Sequence, residues 1–424
     1  MTLRAYQEDV IERVRAVYRS GVRSCVLRLP TGAGKTHIAA ALLRDAVARG
    51  KRAIFAAHRD DLVGTTLARV CAAGLRAGRV QAGERADSAA SVQVCSIQTL
   101  HARPDECPPA DLVILDECHR AAAPTVRGVL ARYPDAYILG LTATPERADG
   151  QALGDVFGAL VDGPSTSALI AEGVLVGCDV IAPATYSDSL ACDPVDAVRT
   201  HGRGSTVVFC ATVAEARRVA SELSSAGYVD GDMPMRGRRD VLARFDRGDL
   251  AVLANCLVLT EGWDCPRADV CVLARGAGHA STYLQIVGRI LRASPGKARA
   301  LLVDLRGVVH LHGMPDDDRV YSLAVDPIRV AARLPPIRQC PRCGSVSRPA
   351  HACVRCSYVW PPPPPPRVFG RDIARTTVSP ATRDEMHAFF RAQCALVRIR
   401  GWKPAAAGMR FKARYGFWPP WRSA

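Results

Sequence analysis

Along the first 305 residues, short apolar runs alternate with longer polar-faced stretches of helical period, the pattern of a parallel sheet with crossover helices. The runs "SCVLRL", "RAIFAAH", "SVQVCSI", "DLVILD" and "YILGLTAT" predict one set of strands; "TVVFC", "LAVLANC", "VCVLAR" and "RALLVDL" predict a second. The stretch between them, "GPSTSALIAEGVLVGCDVIAPATYSDSL", loses that regular spacing. A chain of 424 residues exceeds what one hydrophobic core organises, so the expected fold class is α/β, with two tandem parallel-sheet domains. The predicted partition is a first sheet domain over 1–165, a connection over 166–202, a second sheet domain over 203–333, a cysteine-bearing segment over 334–360, a proline run over 361–366 and a basic aromatic module over 367–424.

The cysteine-bearing segment reads "CPRCGSVSRPAHACVRC", with Cys340 and Cys343, then Cys353 and Cys356, in paired two-residue spacings. Each pair turns two thiolates toward one point, and four thiolates complete a tetrahedral shell, so a structural Zn2+ is expected here. Gly344 allows the turn after the first pair, and His351 reads as a surface residue. Such a ribbon could be a folding staple or a contact for nucleic acid, and the sequence leaves both open. The other twelve cysteines are scattered among Ala, Val and Leu, as core residues in a reducing compartment would be. Six consecutive prolines then predict an extended spacer. Beyond them, Trp402, Phe411, Tyr415, Phe417, Trp418 and Trp421 interleave with Lys403, Arg410, Lys412, Arg414 and Arg422. Most of these rings are expected to form the core of a small module, with the cations facing phosphate.

Net charge is +15 and the isoelectric point about 9.4, which implies a polyanionic partner. Arginine supplies most of that charge, since only five of the 56 basic residues are lysine. No apolar run is long enough to span a bilayer, and "MTLRAYQEDV" is too polar for a signal peptide, so no membrane partner is expected and the location is read as cytoplasmic and nucleoid-associated.

"SCVLRL", "PTGAGKT" and "HIAAALLRDAVARG" read as strand, loop and helix. Backbone N–H groups around Thr31, Gly32, Ala33 and Gly34 can surround phosphate oxygens, while Lys35 reaches the terminal phosphates and Thr36 ligates Mg2+. Leu29 stands where a first glycine is usual, at the strand exit. Farther on, "DLVILDECH" ends a buried run in Asp116, for the magnesium shell, and Glu117, to polarise an attacking water. In "TYLQIVGRILRA", Gln285, Arg289 and Arg292 are expected on one stripe of a helix, and Gly288 beside them permits close approach. Two arginines on an otherwise apolar helix require anionic partners.

Together these motifs resemble the superfamily 2 helicases and translocases, in order along residues 3 to 292. "LRAYQEDVIERV" resembles the glutamine motif, "FAAHRDDLV" motif Ia, "SIQTL" the strand-contacting motif that follows it, "DECH" motif II and "LTATPER" motif III. "VVFCATVAEA", "LTEGWDCP" and "QIVGRILR" are similar to motifs IV, V and VI. The resemblance implies two RecA-like, P-loop NTPase lobes with ATP and Mg2+ between them. It implies that Gln7 reads adenine, that Gly262 and Asp264 touch the nucleotide, and that Arg289 and Arg292 act as arginine fingers. His119, Thr142, Thr144 and Gln285 would couple the lobes, and Arg59, Gln98, Thr99 and Thr260 would contact nucleic acid. The chain most resembles the DECH-box, RadD-like group of bacterial and phage DNA repair helicases. The implied partner is nucleic acid, in first place DNA, moved along or unwound by a monomeric motor that works with repair, recombination or nuclease proteins. An RNA helicase, the motor of a restriction or defence complex, and a nucleic-acid-binding scaffold with a degenerate motor are the competing readings. The intact Lys35, Asp116, Glu117, Arg289 and Arg292 weigh against the scaffold.

Overall fold

Fifteen strands form two sheets in the computed structural model, which describes residues 3–58, 60–145, 153–260, 262–323, 335–361, 382–400, 402–415 and 418–420. The first sheet contains β1 (Ser24–Arg28), β2 (Ala53–Ala57), β3 (Ala77–Val80), β4 (Val92–Ser96), β5 (Leu112–Leu115), β6 (Tyr137–Thr142) and β7 (Ala159–Asp162). All its pairings are parallel, in the order β3-β4-β2-β5-β6-β1-β7. β2, β4 and β5 are buried along their whole length, as strands covered on both faces must be, and their sequences are correspondingly continuous apolar runs. β3 and β7 are the sheet edges, half-exposed and short, and their sequences carry too little apolar signal to stand out.

The second sheet contains β8 (Gly177–Ile181), β9 (Thr206–Cys210), β10 (Ala226–Val229), β11 (Val252–Asn255), β12 (Val270–Ala274), β13 (Arg299–Asp304), β14 (Arg338–Gln339) and β15 (Ser345–Ser347). Its order is β10-β11-β9-β12-β13-β8-β15-β14. Two expectations change here. The stretch 166–202 is more than a connection: β8 pairs in parallel with β13, and the helix Pro194–His201 buries Val195 and Val198 against the sheet. Asp179 interrupts the apolar run of β8, and its carboxylate is taken by Arg299 on β13 at 2.8 Å. Nor is the cysteine segment a free appendage, because β15 pairs antiparallel with β8 and covers that edge of the sheet. Residues 1–360 accordingly form one compact unit.

One apolar cluster runs through both lobes, from Val10, Leu27 and Leu43 to Val207, Tyr283 and Val346. Separate clusters back the outer face of each sheet. The segment after β13 returns to the first lobe: Asp318 accepts from Ser167 Oγ at 2.8 Å, Arg28 lies 4.9 Å over the Tyr321 ring, and Leu323 O accepts from Gly154 N at 3.0 Å. Asp317 in the same segment is held by Arg348 of the cysteine segment at 2.8 Å.

Residues 361–424 are a second unit. Its described part is a helical hairpin, Arg383–Ile399 and Ala405–Tyr415, closed on Phe390, Val397, Ala407 and Phe411. Thr382 and Glu385 make a capping box at its start. Of the expected core rings, Phe411 is buried and Tyr415 packs against the cluster, whereas Trp402 and Trp418 are exposed. Phe417, Trp421, Arg422 and all of the proline run after Pro361 lie outside the described residues. No described helix is long and apolar enough to cross a membrane.

Candidate active site

β1 leads into a loop that turns through two left-handed glycines, Gly32 at φ 89° and Gly34 at φ 81°, before the helix Lys35–Ala48 begins. Glycine holds such angles at little cost. Leu29 is fully buried, and its N–H donates to Thr142 O at 3.0 Å, so it continues the sheet and takes no part in the turn. Lys35, half-buried, donates from Nζ to Leu29 O at 3.0 Å and to Pro30 O at 3.4 Å, across the mouth of the loop. Thr36 follows it in the first helical turn. Tyr6 Oη donates to Ala33 O at 2.7 Å, and Gln7 Nε2 approaches the same carbonyl at 3.4 Å while Gln7 Oε1 accepts from Arg4 N at 3.0 Å. Gln7 therefore lies against the loop with its amide committed at both ends. Tyr6 was not legible as a site residue, since one tyrosine on a helix carries no distinguishing signal.

β5 delivers Asp116 and Glu117 beside the loop. Glu117 adopts a left-handed conformation, φ 49° and ψ 51°, which is strained for a residue with a side chain. Its Oε2 accepts from Gln285 Nε2 of the second lobe at 3.2 Å and lies 3.3 Å from His119 Nδ1. His119 Nδ1 is 3.5 Å from Thr142 Oγ1, and Thr142 Oγ1 donates to Thr144 O at 3.0 Å. A continuous polar path thus crosses from Gln285 through Glu117, His119 and Thr142 to Thr144. Burial raises the Glu117 pKa, but the His119 hydrogen bond and the charges of Lys35, His119 and Arg289 outweigh it and hold the carboxyl at about 2. Burial lowers the Lys35 pKa, Glu117 and Asp116 act to raise it, and Arg289 and Arg292 add to the lowering. These five charges, from three separate stretches of sequence, share one electrostatic neighbourhood.

The stripe Gln285, Arg289, Arg292 needs correction. The helix Ala280–Val287 stops before either arginine, Gly288 caps it, and tighter bonds from Arg289 N to Ile286 O and Ile290 N to Val287 O close a turn. Arg292 then sits in an extended bridge with Leu175, reinforced by Val176 N to Leu291 O at 2.8 Å. Gly288 ends the helix where the chain meets the phosphate loop, since a Cβ on it would lie 2.4 Å from Thr31 Cβ. Arg289, buried, donates to Thr260 O at 2.7 Å and to Trp263 O at 2.6 Å. Arg292 pairs with Asp264, while its Cγ lies 3.0 Å from where a Gly32 Cβ would be. Burial draws the Arg292 guanidinium down to about 10. Asp264, expected to touch the nucleotide, is shared between Arg292 and Arg69 of the first lobe, the latter at 2.8 Å. Gly262 beside it is left-handed, at φ 73°.

The residues suit a nucleoside triphosphate with its magnesium: a glycine cradle at a helix N-terminus, a lysine at its mouth, two adjacent carboxylates and two arginines from the facing lobe. A separate, small interlobe cavity of about 30 Å3, lined by Arg28, Thr31, Gly288, Asp317 and Tyr321 among others, includes none of Lys35, Asp116 and Glu117 and is not this site.

Comparison with known proteins agrees with that geometry. Residues 1–147 match the family described as "Type III restriction enzyme, res subunit", and residues 191–294 match "Helicase conserved C-terminal domain". The chain belongs to the superfamily 2 helicases. Its two lobes are the ATP-dependent motor of that superfamily, in tandem RecA-like form. This helicase is 25% identical over 350 residues to a "51.5 kDa protein" of Lactococcus phage (isolate 7-9), covering 76% of this chain and 75% of that one. It is 26% identical over 370 residues to the "Putative mitochondrial ATP-dependent helicase irc3" of Schizosaccharomyces pombe, covering 77% of this chain but 59% of the relative. Among solved structures, a fragment of a putative HsdR subunit of a type I restriction enzyme from Vibrio vulnificus YJ016 shares the fold at TM-score 0.60 and 24% identity, over 74% of this chain and 66% of that one.

The structure describes three of the helicase's four expected nucleic-acid residues. Thr99 and Thr260 are buried, and the Thr260 carbonyl is committed to Arg289. Gln98 is exposed, with its amide on His58 O at 2.5 Å, and Arg59 lies outside the described residues. The four cysteine Sγ atoms lie within 4.8 Å of one another, with Cys340 to Cys356 at 3.5 Å and Cys343 to Cys353 at 3.7 Å. Tetrahedral thiolates about 2.3 Å from a zinc ion would be about 3.8 Å apart, so the cluster is compatible with structural zinc. His351 is exposed and stays outside it.

Proposed function

We propose that the protein is a motor that hydrolyses ATP between its lobes and uses the cycle to move along or unwind DNA. The observation that carries this reading is the hydrogen bond from Gln285 to Glu117, because it ties the second lobe to the carboxylate that orients the attacking water. Lys35 and the loop N–H groups would hold the triphosphate, and Thr36 and Asp116 would hold magnesium, which supplies charge neutralisation at the phosphates. Glu117, held ionised, accepts the proton of the water. Arg289 and Arg292 face the same phosphates from the second lobe, oriented by the carbonyls of Thr260 and Trp263 and by Asp264. Loss of the terminal phosphate removes their shared anion, and the path through His119 to Thr142 and Thr144 carries the change to the C-terminal end of β6 in the first lobe.

DNA is favoured over RNA by the match of the first lobe to a restriction-enzyme subunit, while the basic charge suits either polyanion. The same match supports a second reading, in which this chain is the motor of a restriction or defence assembly whose nuclease is another protein. A monomeric, cytoplasmic and nucleoid-associated motor of DNA repair, RadD-like in type and with zinc on the four cysteines, completes the proposal. ATP hydrolysis measured with single-stranded, duplex and forked DNA and with RNA, beside the Lys35→Ala protein, tests it. Stimulation by DNA that vanishes with Lys35→Ala is expected. Hydrolysis indifferent to every nucleic acid would overturn the motor, and stimulation by RNA alone would overturn the choice of DNA.

A further inference from the structure

Four cations of the C-terminal hairpin lie on aromatic rings. Arg400 and Arg410 stand 5.4 Å and 4.9 Å over Trp402, Lys412 is 5.0 Å over Trp418, and Arg414 is 4.5 Å over Phe389. None of Arg391, Arg400, Lys403, Lys412 and Arg414 has a carboxylate partner among the described residues, and Arg410 bonds only the neutral Gln393, at 3.2 Å. The hairpin's acids, Asp384 and Glu385, both sit in the first turn of its first helix, at the far end from the loop that carries Arg400, Trp402 and Lys403. Trp402 and Trp418 remain 40% and 55% exposed although the hairpin has a core that could have taken them. Trp418 is seated there by design of the backbone, since a Cβ on Gly408 would lie 3.0 Å from its ring. Positions 408 and 412 share one side of the second helix and 410 and 414 the other, so a ring with its cation flanks the core on each side.

Exposed indoles bearing unpaired cations suit a polyanion that also has flat apolar faces: unpaired bases along a phosphate backbone. We propose that the hairpin is a second nucleic-acid site, separate from the motor, that grips single-stranded DNA with Arg400, Lys403, Arg410 and Lys412 on phosphates and Trp402 and Trp418 against bases. This rests on reading the chain as a nucleic-acid motor, but binding without ATP tests it separately from hydrolysis.

The experiment uses the full chain and oligo(dT) with no nucleotide present, following binding by tryptophan fluorescence across a salt series, beside a blunt duplex. The exposed triple variant Arg400→Gln, Arg410→Gln, Lys412→Gln should lower the slope of log K against log salt by about 2, since each phosphate contact to a single strand contributes about 0.7. Trp402→Ala should weaken oligo(dT) binding by about tenfold, with Trp402→Phe between it and the parent protein, as expected for one lost stack. The maximal rate of ATP hydrolysis at saturating DNA should be unchanged in all of them, which also shows that the motor is folded. An unchanged salt slope in the triple variant would overturn the site. Equal losses on oligo(dT) and blunt duplex with Trp402→Ala neutral would overturn the single-strand assignment and leave a duplex-backbone contact. Failure of any nucleic acid to stimulate hydrolysis, with these binding effects intact, would count against the motor reading alone.

Discussion

An arginine in the motor unit and an arginine in the hairpin keep different company. In the motor, Arg28 is held by Asp162 at 2.6 Å, Arg218 by Asp193 at 2.8 Å, Arg299 by Asp179 at 2.8 Å and Arg348 by Asp317 at 2.8 Å. In the hairpin, Arg410, Lys412 and Arg414 rest on Trp402, Trp418 and Phe389 with no acid opposite. A paired guanidinium fixes geometry inside the protein, whereas an unpaired one keeps its charge for something outside it. Composition alone merges the two kinds of arginine into a single basic isoelectric point. Removing a motor charge should therefore change the rate and leave the salt dependence of DNA binding alone, and removing hairpin charges should do the reverse.

The largest effect that could break this contrast comes from the arginines facing the phosphate loop. Arg289→Gln and Arg292→Gln should each lower the maximal rate of ATP hydrolysis by about a thousandfold, the usual scale for an arginine finger. Their salt slope on DNA should match the parent protein; a slope reduced as in the hairpin triple variant would mean that they also serve phosphates of the strand. Gly288→Ala adds no charge and removes none, but its Cβ would lie 2.4 Å from Thr31 Cβ. A displacement of that order at the facing lobe should cost about a hundredfold in rate. ATP binding, followed with a fluorescent analogue, should persist because the loop itself is intact, and a rate within a few-fold of the parent's would show that the lobes do not need this approach.

Acid dependence sharpens the comparison next. The Glu117 carboxyl falls from an ordinary 4.5 to about 2 in the folded protein, so its ionised form contributes stability above 4.5 that is lost as pH falls toward 2. Glu117 is then charged throughout the range in which hydrolysis can be measured, and the acid limb of the rate should not be its own. His119→Ala removes the hydrogen bond that does most to lower it, so the Glu117 pKa should rise and a new acid limb should enter the profile. An unaltered profile would show that Lys35 and Arg289 suffice.

The strands that carry chemistry were legible because they are buried on both faces, and such strands read as unbroken apolar runs in β1, β2, β5 and β9. The phosphate loop and the "DECH" carboxylates follow directly from those strands, so spacing along the chain located them. β8 was hidden by Asp179, whose partner Arg299 lies 120 residues away, and the sheet-edge role of the cysteine segment was hidden because its two strands are only two and three residues long. The helix stripe through Arg292 failed for a different reason. Periodicity assumes that a helix continues, and the contact between Gly288 and Thr31 that ends it joins residues from different lobes. Likewise, nothing local marks Arg69 or Tyr6, whose partners Asp264 and Ala33 are brought to them by the fold.

The cysteine cluster tests a structural role with neither kind of arginine at stake. The purified chain should carry one zinc per molecule by metal analysis, and Cys340→Ser should lose it. Because β15 is paired to β8, that loss should lower the melting temperature of the motor unit by a few degrees without touching the hairpin's salt slope. A zinc-free parent protein with full stability would remove the metal from the account.

The smallest effect lies at the pair that spans the lobes. Arg69 and Asp264 are 38% and 39% exposed, and exposed pairs contribute about 0 to 1 kcal/mol, so Arg69→Gln should change the rate of hydrolysis by no more than about fivefold. Asp264→Asn should cost more, because Asp264 also neutralises Arg292, which is far less exposed. The double variant should then resemble Asp264→Asn alone, since Arg69 acts only through that carboxylate. Additive losses would mean that Arg69 has a further partner, and the natural one is the nucleic acid. In that case an arginine of the motor would behave like those of the hairpin, and the division between paired and unpaired cations would have to be drawn through the motor itself.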